Sequence, residues 1–407
     1  MLQSYCELHG LEPISKFEKG MDFRKPEYRR EVFFRFYEFH LKYKSHPGGV
    51  YFLFPYIFKH LSLTKEQQYW FAFLNGCTQN PVTTWIIFHR FPDLPKNTDE
   101  MEKWHRANWK NLMYDLDRRY QKGHLVEMVD DYLANLGKLS QEEFFESKLK
   151  GATPEESFYK VWDAVRNGFF MYGRLSTFSY LEYLSILGLD IVCDSFFMEE
   201  LEGSKSQRNG CLKVLGRDDL DWHKDDSKRH SKELIEDIKV HAENILEEAQ
   251  NRFKDSSFLK DVNRFTLEST FCCYKSWHRV NRRYPGIYND MLYDRIKQGE
   301  SLWPDEDFSI FWEARRDTLP KEIRLEDNPL DIGLKPFKMN WYRETGEVIM
   351  MSSEWGCFEN GYERDYVKGL EVKDYLIKSP ILRKNYKRTS IPMTQRSLFG
   401  GDICKRN

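Results

Sequence analysis

Apolar positions recur along most of this chain at the spacing of amphipathic helices, and two-residue alternation is confined to its last quarter. Residues 27–45 form one such run, which stops where Ser45-His46-Pro47-Gly48-Gly49 supplies turn formers. Thr64 stands before Lys65-Glu66-Gln67-Gln68 as an N-cap in a capping-box pattern, and the helix it starts should bury Tyr69, Trp70, Phe73 and Leu74. The polar stretch Asn75-Gly76-Cys77-Thr78-Gln79-Asn80 should break it. Pro81 then opens a second buried helix at its first turn, carrying Trp85 and Phe88. Further helices fit residues 100–120, 126–136 and 140–149, and Thr153-Pro154 places cap and proline in the preferred order for another running to Asn167. Arg174 to Leu184 is apolar enough to be central. Residues 230–253, with Ile235, Ile238, Ile245, Leu246 and Phe253 on one face, are the clearest long helix. From about residue 320 the texture changes to proline-containing extended segments, and Trp341 to Ser352, turning at Thr345-Gly346, reads as a β-hairpin. The expected fold is mainly α: a helical catalytic domain over 1–318 and a small extended, partly β segment over 319–407 with a basic tail.

Composition narrows the functional classes. The 407 residues suffice for a large core, and no apolar run approaches the roughly eighteen residues of a membrane span. The N-terminus lacks the basic-then-apolar order of a signal peptide, so a cytoplasmic protein is expected. Eight cysteines are scattered without a C-x-x-C pair, which points to reduced thiols and away from structural zinc. A formal charge of −2 excludes coating of nucleic acid by bulk electrostatics, so any such contact must be local. The last thirty residues are a local exception, with Lys378, Arg383, Lys384, Lys387, Arg388, Arg396, Lys405 and Arg406 against Asp402. Aromatic residues, at 16%, are spread along the whole chain, so most belong to the core.

Neither a Walker A sequence nor a Rossmann G-x-G-x-x-G occurs, and G-x-S-x-G and H-E-x-x-H are also missing, which removes the main signals of P-loop, dinucleotide, serine-hydrolase and zincin chemistry. Two constellations remain. Gly203-Ser204-Lys205-Ser206-Gln207-Arg208-Asn209-Gly210, followed by Leu215-Gly216-Arg217-Asp218-Asp219, reads as a polar loop whose backbone amides and Lys205, Arg208, Asn209 and Arg217 suit phosphate or pyrophosphate; an exposed surface turn is the plain alternative. Tyr274 to Asp290 interleaves Lys275, Trp277, Arg282, Arg283, Tyr284 and Tyr288 with a Pro285-Gly286 turn, the mixture that nucleic-acid sites use to stack bases and hold phosphates. Arg174 and Glu182 fall in an apolar context, either as a buried ion pair or facing an active-site cavity. His40, His46 and His89 read as core or surface histidines. Asn75, Gln79 and Asn80 could read a base edge or simply cap helices.

Gly173-Arg174 with Tyr180-Leu181-Glu182, the Gly203–Gly210 stretch, Tyr274-Lys275, and Arg282-Arg283-Tyr284-Pro285-Gly286-Ile287-Tyr288-Asn289-Asp290-Met291 together resemble the bacteriophage amino acid:DNA transferases, relatives of the alpha-glutamyl/putrescinyl thymine pyrophosphorylases. The resemblance spans roughly residues 28–318. It implies a helical core similar to DNA glycosylases, and an enzyme in the host cytoplasm that hypermodifies phage DNA. Such an enzyme replaces the pyrophosphate on a 5-hydroxymethyluracil with the amine of an amino acid. Its partners would be DNA bearing the modified pyrimidine and a free amino acid. On this reading Lys205, Arg208 and Arg217, then Lys275, Arg282 and Arg283, steady the departing pyrophosphate. Arg174 holds the incoming carboxylate, Glu182 takes the amine proton, and Trp277, Tyr284 or Tyr288 stacks on an extruded base. Arg208-Asn209-Gly210 should then face Arg174 and the Lys275–Arg283 segment. The residues assign no definite cofactor; a divalent ion such as Mg2+ could share the charge, with Asp190 or Asp194 as candidate ligands, though no spacing marks a metal site. A glycosylase-like base-processing enzyme and a non-catalytic DNA-binding accessory protein are the rival readings.

Overall fold

The structure is a computed structural model that describes residues 2–12, 26–46, 49–114, 121–222, 227, 229–274, 287–321 and 324–327. Among these residues every regular element is helical and no strand occurs. The α-helices are α1 (Tyr5–His9), α2 (Arg29–Lys42), α3 (Val50–His60), α4 (Lys65–Thr78) and α5 (Pro81–Arg90), then α6 (Asp99–Asn108), α7 (Leu125–Leu136), α8 (Gln141–Leu149), α9 (Pro154–Gly168) and α10 (Arg174–Ile186). They continue as α11 (Lys205–Val214), α12 (Lys232–Arg252), α13 (Arg264–Tyr274), α14 (Ile287–Leu302) and α15 (Ser309–Thr318). The expected hairpin at Trp341–Ser352 and the basic tail lie outside the described residues.

Two compact units divide the chain. One joins Met1–Gly49, Lys205–Asp294 and the chain from Arg315; the other joins Val50–Ser204 and Arg295–Ala314. Local chemistry sets the helix starts in the second unit. Thr64, Ser140 and Thr153 each close a capping box with the residue three positions on, and Asn80 accepts from the Val82 and Thr83 amides ahead of Pro81. Its core is aromatic: α4 buries every residue from Tyr69 to Thr78, and Phe73 stacks on Tyr132 with ring centroids 3.9 Å apart.

Three expectations need correction here. Helix α4 does not break at Asn75 but continues to Thr78, and Gln79 ends it with φ 47°. The helix expected over 100–120 stops at Asn108 and gives way to one 3-10 turn, Trp109–Asn111. There the Thr83 hydroxyl donates to the Met113 carbonyl at 2.5 Å and accepts its amide at 2.9 Å, so the backbone groups a longer helix would pair internally are held by α5.

The third correction concerns the first unit. The stretch read as a polar loop at 203–210 is helical from Lys205 onward, and Gln207 through Val214 are all buried. Its Ser, Asn and Gly content argues against a helix on propensity, and tertiary packing overrides this. Helix α11 lies so close to α13 that a Cβ on Gly210 would stand 2.0 Å from the Phe271 carbonyl oxygen. Phe33 of α2 stacks on Phe271 at 5.2 Å, and the Tyr274 hydroxyl donates to the Arg29 carbonyl at 2.8 Å, which ties α2 to α13.

Candidate active site

In the first unit, α11 carries Lys205, Arg208 and Asn209 along one buried helix. After the 3-10 turn Asp218–Leu220, the buried Trp222 indole receives two of them: Lys205 Nζ lies 4.7 Å and the Arg208 guanidinium 5.9 Å from its ring centroid. Arg229 adds a third cation at 5.8 Å. The Asn209 side-chain oxygen accepts the Trp222 backbone N–H at 3.2 Å and so ties the Trp222 backbone to α11. Its Nδ2 is buried with no hydrogen-bond partner among the described residues. His230 packs edge-on against the same indole with centroids 5.4 Å apart. It meets Arg208 Nε through Nδ1 at 3.1 Å. Cations ranged around one ring can take up the charge of a phosphorylated group, and the planar fork of Arg208 suits phosphate oxygens.

The other candidates of this unit separate from the cluster. Arg217 is clamped by both carboxylate oxygens of Asp219, at 2.9 and 2.8 Å, and donates to the Gln3 carbonyl at 2.8 Å; the Asp219 bonds raise its pKa further. Tyr288, expected to offer a stacking face, is buried: its hydroxyl donates to the Ser269 carbonyl at 3.2 Å and its ring meets His40 edge-on at 5.2 Å. His40 and His46 are fully buried, and burial pushes the His40 pKa down to about 3 and holds His46 well below its ordinary value. Lys275, Trp277, Arg282, Arg283 and Tyr284 lie outside the described residues.

The second unit holds Arg174 and Glu182, both on α10 and both buried. Arg174 donates to the Phe196 carbonyl at 2.7 Å and lies over the Phe178 ring at 4.8 Å. Gly203 lets the returning chain pass over it, since a Cβ there would be 3.2 Å from Arg174 Cβ. Glu182 accepts the Tyr51 hydroxyl at 2.8 Å. Eight residues separate the two along one helix, about 12 Å of rise, and each engages its own partner. Asp190 and Asp194 are exposed, and among the described residues no three His, Cys, Asp or Glu side chains gather closely enough to hold a metal ion. Asn80 caps α5, Gln79 donates to Ser179 Oγ at 2.9 Å, and Asn75 accepts from Thr84 at 3.1 Å, so all three have structural partners.

Sequence reasoning passed over Trp222, Arg229 and His230. The signal was available: Trp222-His223-Lys224-Asp225-Asp226-Ser227-Lys228-Arg229-His230 interleaves basic and aromatic residues as the 274–290 stretch does.

The family profile of the amino acid:DNA transferases matches residues 54–284, which takes in Arg174, Glu182, α11 and the Trp222–His230 segment. A serinyltransferase of Salmonella phage ViI is 30% identical over 298 residues, covering 69% of this chain and 71% of the phage protein. No solved structure matches the chain. These likenesses define a transferase that moves amino acids onto DNA. The chain belongs to the amino acid:DNA transferase family.

Proposed function

We propose that this transferase joins the amine of an amino acid, serine being the first to test, to the 5-methylene carbon of a pyrophosphorylated 5-hydroxymethyluracil in DNA and releases pyrophosphate. The observation that carries the reading is the family match across residues 54–284, within which Lys205 and Arg208 converge on Trp222. Serine comes from the name of the phage relative. The free amino acid must first lose an ammonium proton. Its nitrogen lone pair then forms the C–N bond while the C–O bond breaks and that electron pair departs with pyrophosphate. Such a leaving group carries several negative charges, and donors that meet them as they develop lower the barrier. Arg208 and Lys205 take that role, with Asn209 Nδ2 as a neutral donor. Glu182 accepts the amine proton and Arg174 holds the amino acid carboxylate. Lys275, Arg282 and Arg283 contact the DNA backbone, while Trp277 or Tyr284 stacks against the extruded base. The helical architecture suits a glycosylase-like core, and the setting is the host cytoplasm.

The test is direct. Purified protein is incubated with DNA containing 5-pyrophosphoryloxymethyluracil and single amino acids, and the DNA is digested for nucleoside mass analysis while free pyrophosphate is assayed. A nucleoside heavier by the amino acid, formed with one pyrophosphate released per addition, is expected. Abasic sites would point to base excision, and unchanged DNA with no pyrophosphate released would end the proposal.

A further inference from the structure

The second unit carries an aromatic and basic surface that the reaction proposed above does not use. Two 3-10 turns, Trp109–Asn111 and Lys122–His124, are held together by a bond from Lys122 Nζ to the Lys110 carbonyl at 2.9 Å. The same ammonium stands 5.6 Å from the centroid of the Trp109 ring and steadies it, while Trp109 stays 39% exposed. From this turn the surface continues through Asn111, whose carbonyl accepts from Trp303 Nε1 at 3.1 Å. Trp303 in turn stacks on Trp104 with centroids 5.9 Å apart, and both are half-buried. From the second turn it continues through His124 to Phe170, whose ring the imidazole meets edge-on at 6.2 Å and which is 43% exposed. One exposed aromatic residue needs no explanation, but a connected series of them marks a surface made to be covered.

Charge says what covers it. Residues 103–114 and 121–126 contain Lys103, Arg106, Lys110 and Lys122 and no carboxylate, and Lys103 and Lys110 are exposed. The nearest acids in sequence are engaged: Glu102 by Arg106, Glu127 by His124, and Asp131 by the Phe170 amide. The Trp303 end is more acidic, with Asp305 and Glu306, so the cationic part is the one around Trp109 and Phe170. Open rings beside ammonium groups match a nucleotide whose base is out of its pair, since the base offers a π-face and the backbone a phosphate. A closed duplex keeps those faces inside its stack, and an enzyme that reacts with a base must take the base out of it. We propose that this surface binds unpaired DNA, with Trp109 and Phe170 stacking on bases and Lys110 and Lys122 meeting the phosphates beside them. The inference rests on the family's action on DNA, and not on the pyrophosphate chemistry; Trp104 through Phe170 fall within the family match.

The experiment measures binding of fluorescent oligonucleotides to the full chain by anisotropy, with a thymidine-containing single strand and the same strand fully paired. Neither carries pyrophosphate, so the outcome is separate from that of the proposed reaction. Trp109→Ala and Phe170→Ala should each weaken single-strand binding about tenfold, the scale of one lost base stack, and Trp109→Phe should recover most of it. Affinity for the paired duplex should change little. Lys110→Gln should make the plot of log affinity against log salt shallower by about 0.7, the value for one phosphate contact removed from a single strand. Tyr159 is the control. It is exposed to a similar extent, at 44%, but its hydroxyl bonds to Asp194, and Tyr159→Ala should bind both DNAs as the wild type does. Wild-type single-strand affinity in either Trp109→Ala or Phe170→Ala overturns the proposal. So does an equal loss for the paired duplex, which offers no open base to stack. Should Trp109→Ala fail to fold, Phe170→Ala and Lys110→Gln decide by the same two DNAs.

Discussion

Arg208 separates charge from geometry. On the proposed reaction, in which Arg208 meets the departing group, replacing it by Ala should raise the barrier by about 2 to 4 kcal/mol. Arg208→Lys keeps a positive charge but loses both the planar fork and the Nε donor that meets His230, so kcat/KM on pyrophosphorylated DNA should fall between wild type and the Ala variant. A Lys variant as active as wild type would show that charge alone suffices. A second prediction concerns His40, whose pKa burial lowers from 6.5 to about 3. Between those values the unfolded chain binds a proton that the folded chain refuses, so stability falls as pH drops below about 6.5. His46 is shifted in the same direction. Thermal melts across that window should show a declining Tm, and His40→Leu should flatten the slope whatever it does to the maximum; an unchanged slope would remove His40 from the account. Lys205, Arg208 and Asn209 stood out in the chain because they fall in a stretch of small polar residues that reads as a loop, and the fold instead places that stretch in a buried helix. Trp222 and His230 carried a signal of their own in the 222–230 stretch, but their contacts with α11 are made only in the fold, and Arg217 and Tyr288 likewise owe their positions to Asp219, Gln3 and Ser269.

Helix starts were the most legible elements, since the capping boxes at Thr64, Ser140 and Thr153 and the Asn80-Pro81 pair satisfy backbone amides within four residues of sequence. Helix α11 was not legible, because it depends on the face of α13 that receives Gly210. That dependence can be tested. Gly210→Ala would bring a methyl group to 2.0 Å from the Phe271 carbonyl oxygen, and backbone cannot yield as a flexible side chain can. The two helices must move apart, at a cost of about 3 kcal/mol, the upper part of the range for overpacked cores. Urea unfolding should show this loss, while Gly123→Ala, whose added Cβ meets nothing within 4 Å, should stay within about 0.5 kcal/mol of wild type. Equal stabilities for the two variants would mean that close packing of α11 on α13 is not what makes this segment helical.

At the scale of the molecule, the chain leaves the first unit after Gly49 and returns to it at Lys205, then repeats the excursion between Arg295 and Ala314. No proline-rich or low-complexity linker marks these crossings, so a single sequence offers no composition shift from which to read them. Helical content is a local property and was legible; which helices share a core is set by contacts between distant segments. Charge is the other property of the whole chain, and here the sequence speaks directly. Eight basic residues against one acid in the last thirty positions, within a chain of formal charge −2, leave the remainder distinctly acidic. A protein of that balance is repelled by DNA except where cations are concentrated. The tail should therefore contribute to capture and not to chemistry. Replacing Lys378, Arg383, Lys384, Lys387, Arg388 and Arg396 with Gln should weaken DNA binding most at low salt. It should make the plot of log affinity against log salt shallower by about 0.9 for each duplex phosphate contact removed, with kcat at saturating DNA unchanged. Titrations at several salt concentrations measure both terms: an unaltered slope with unaltered affinity would exclude the tail from DNA capture, and a lower kcat at saturating DNA would place it in the reaction itself.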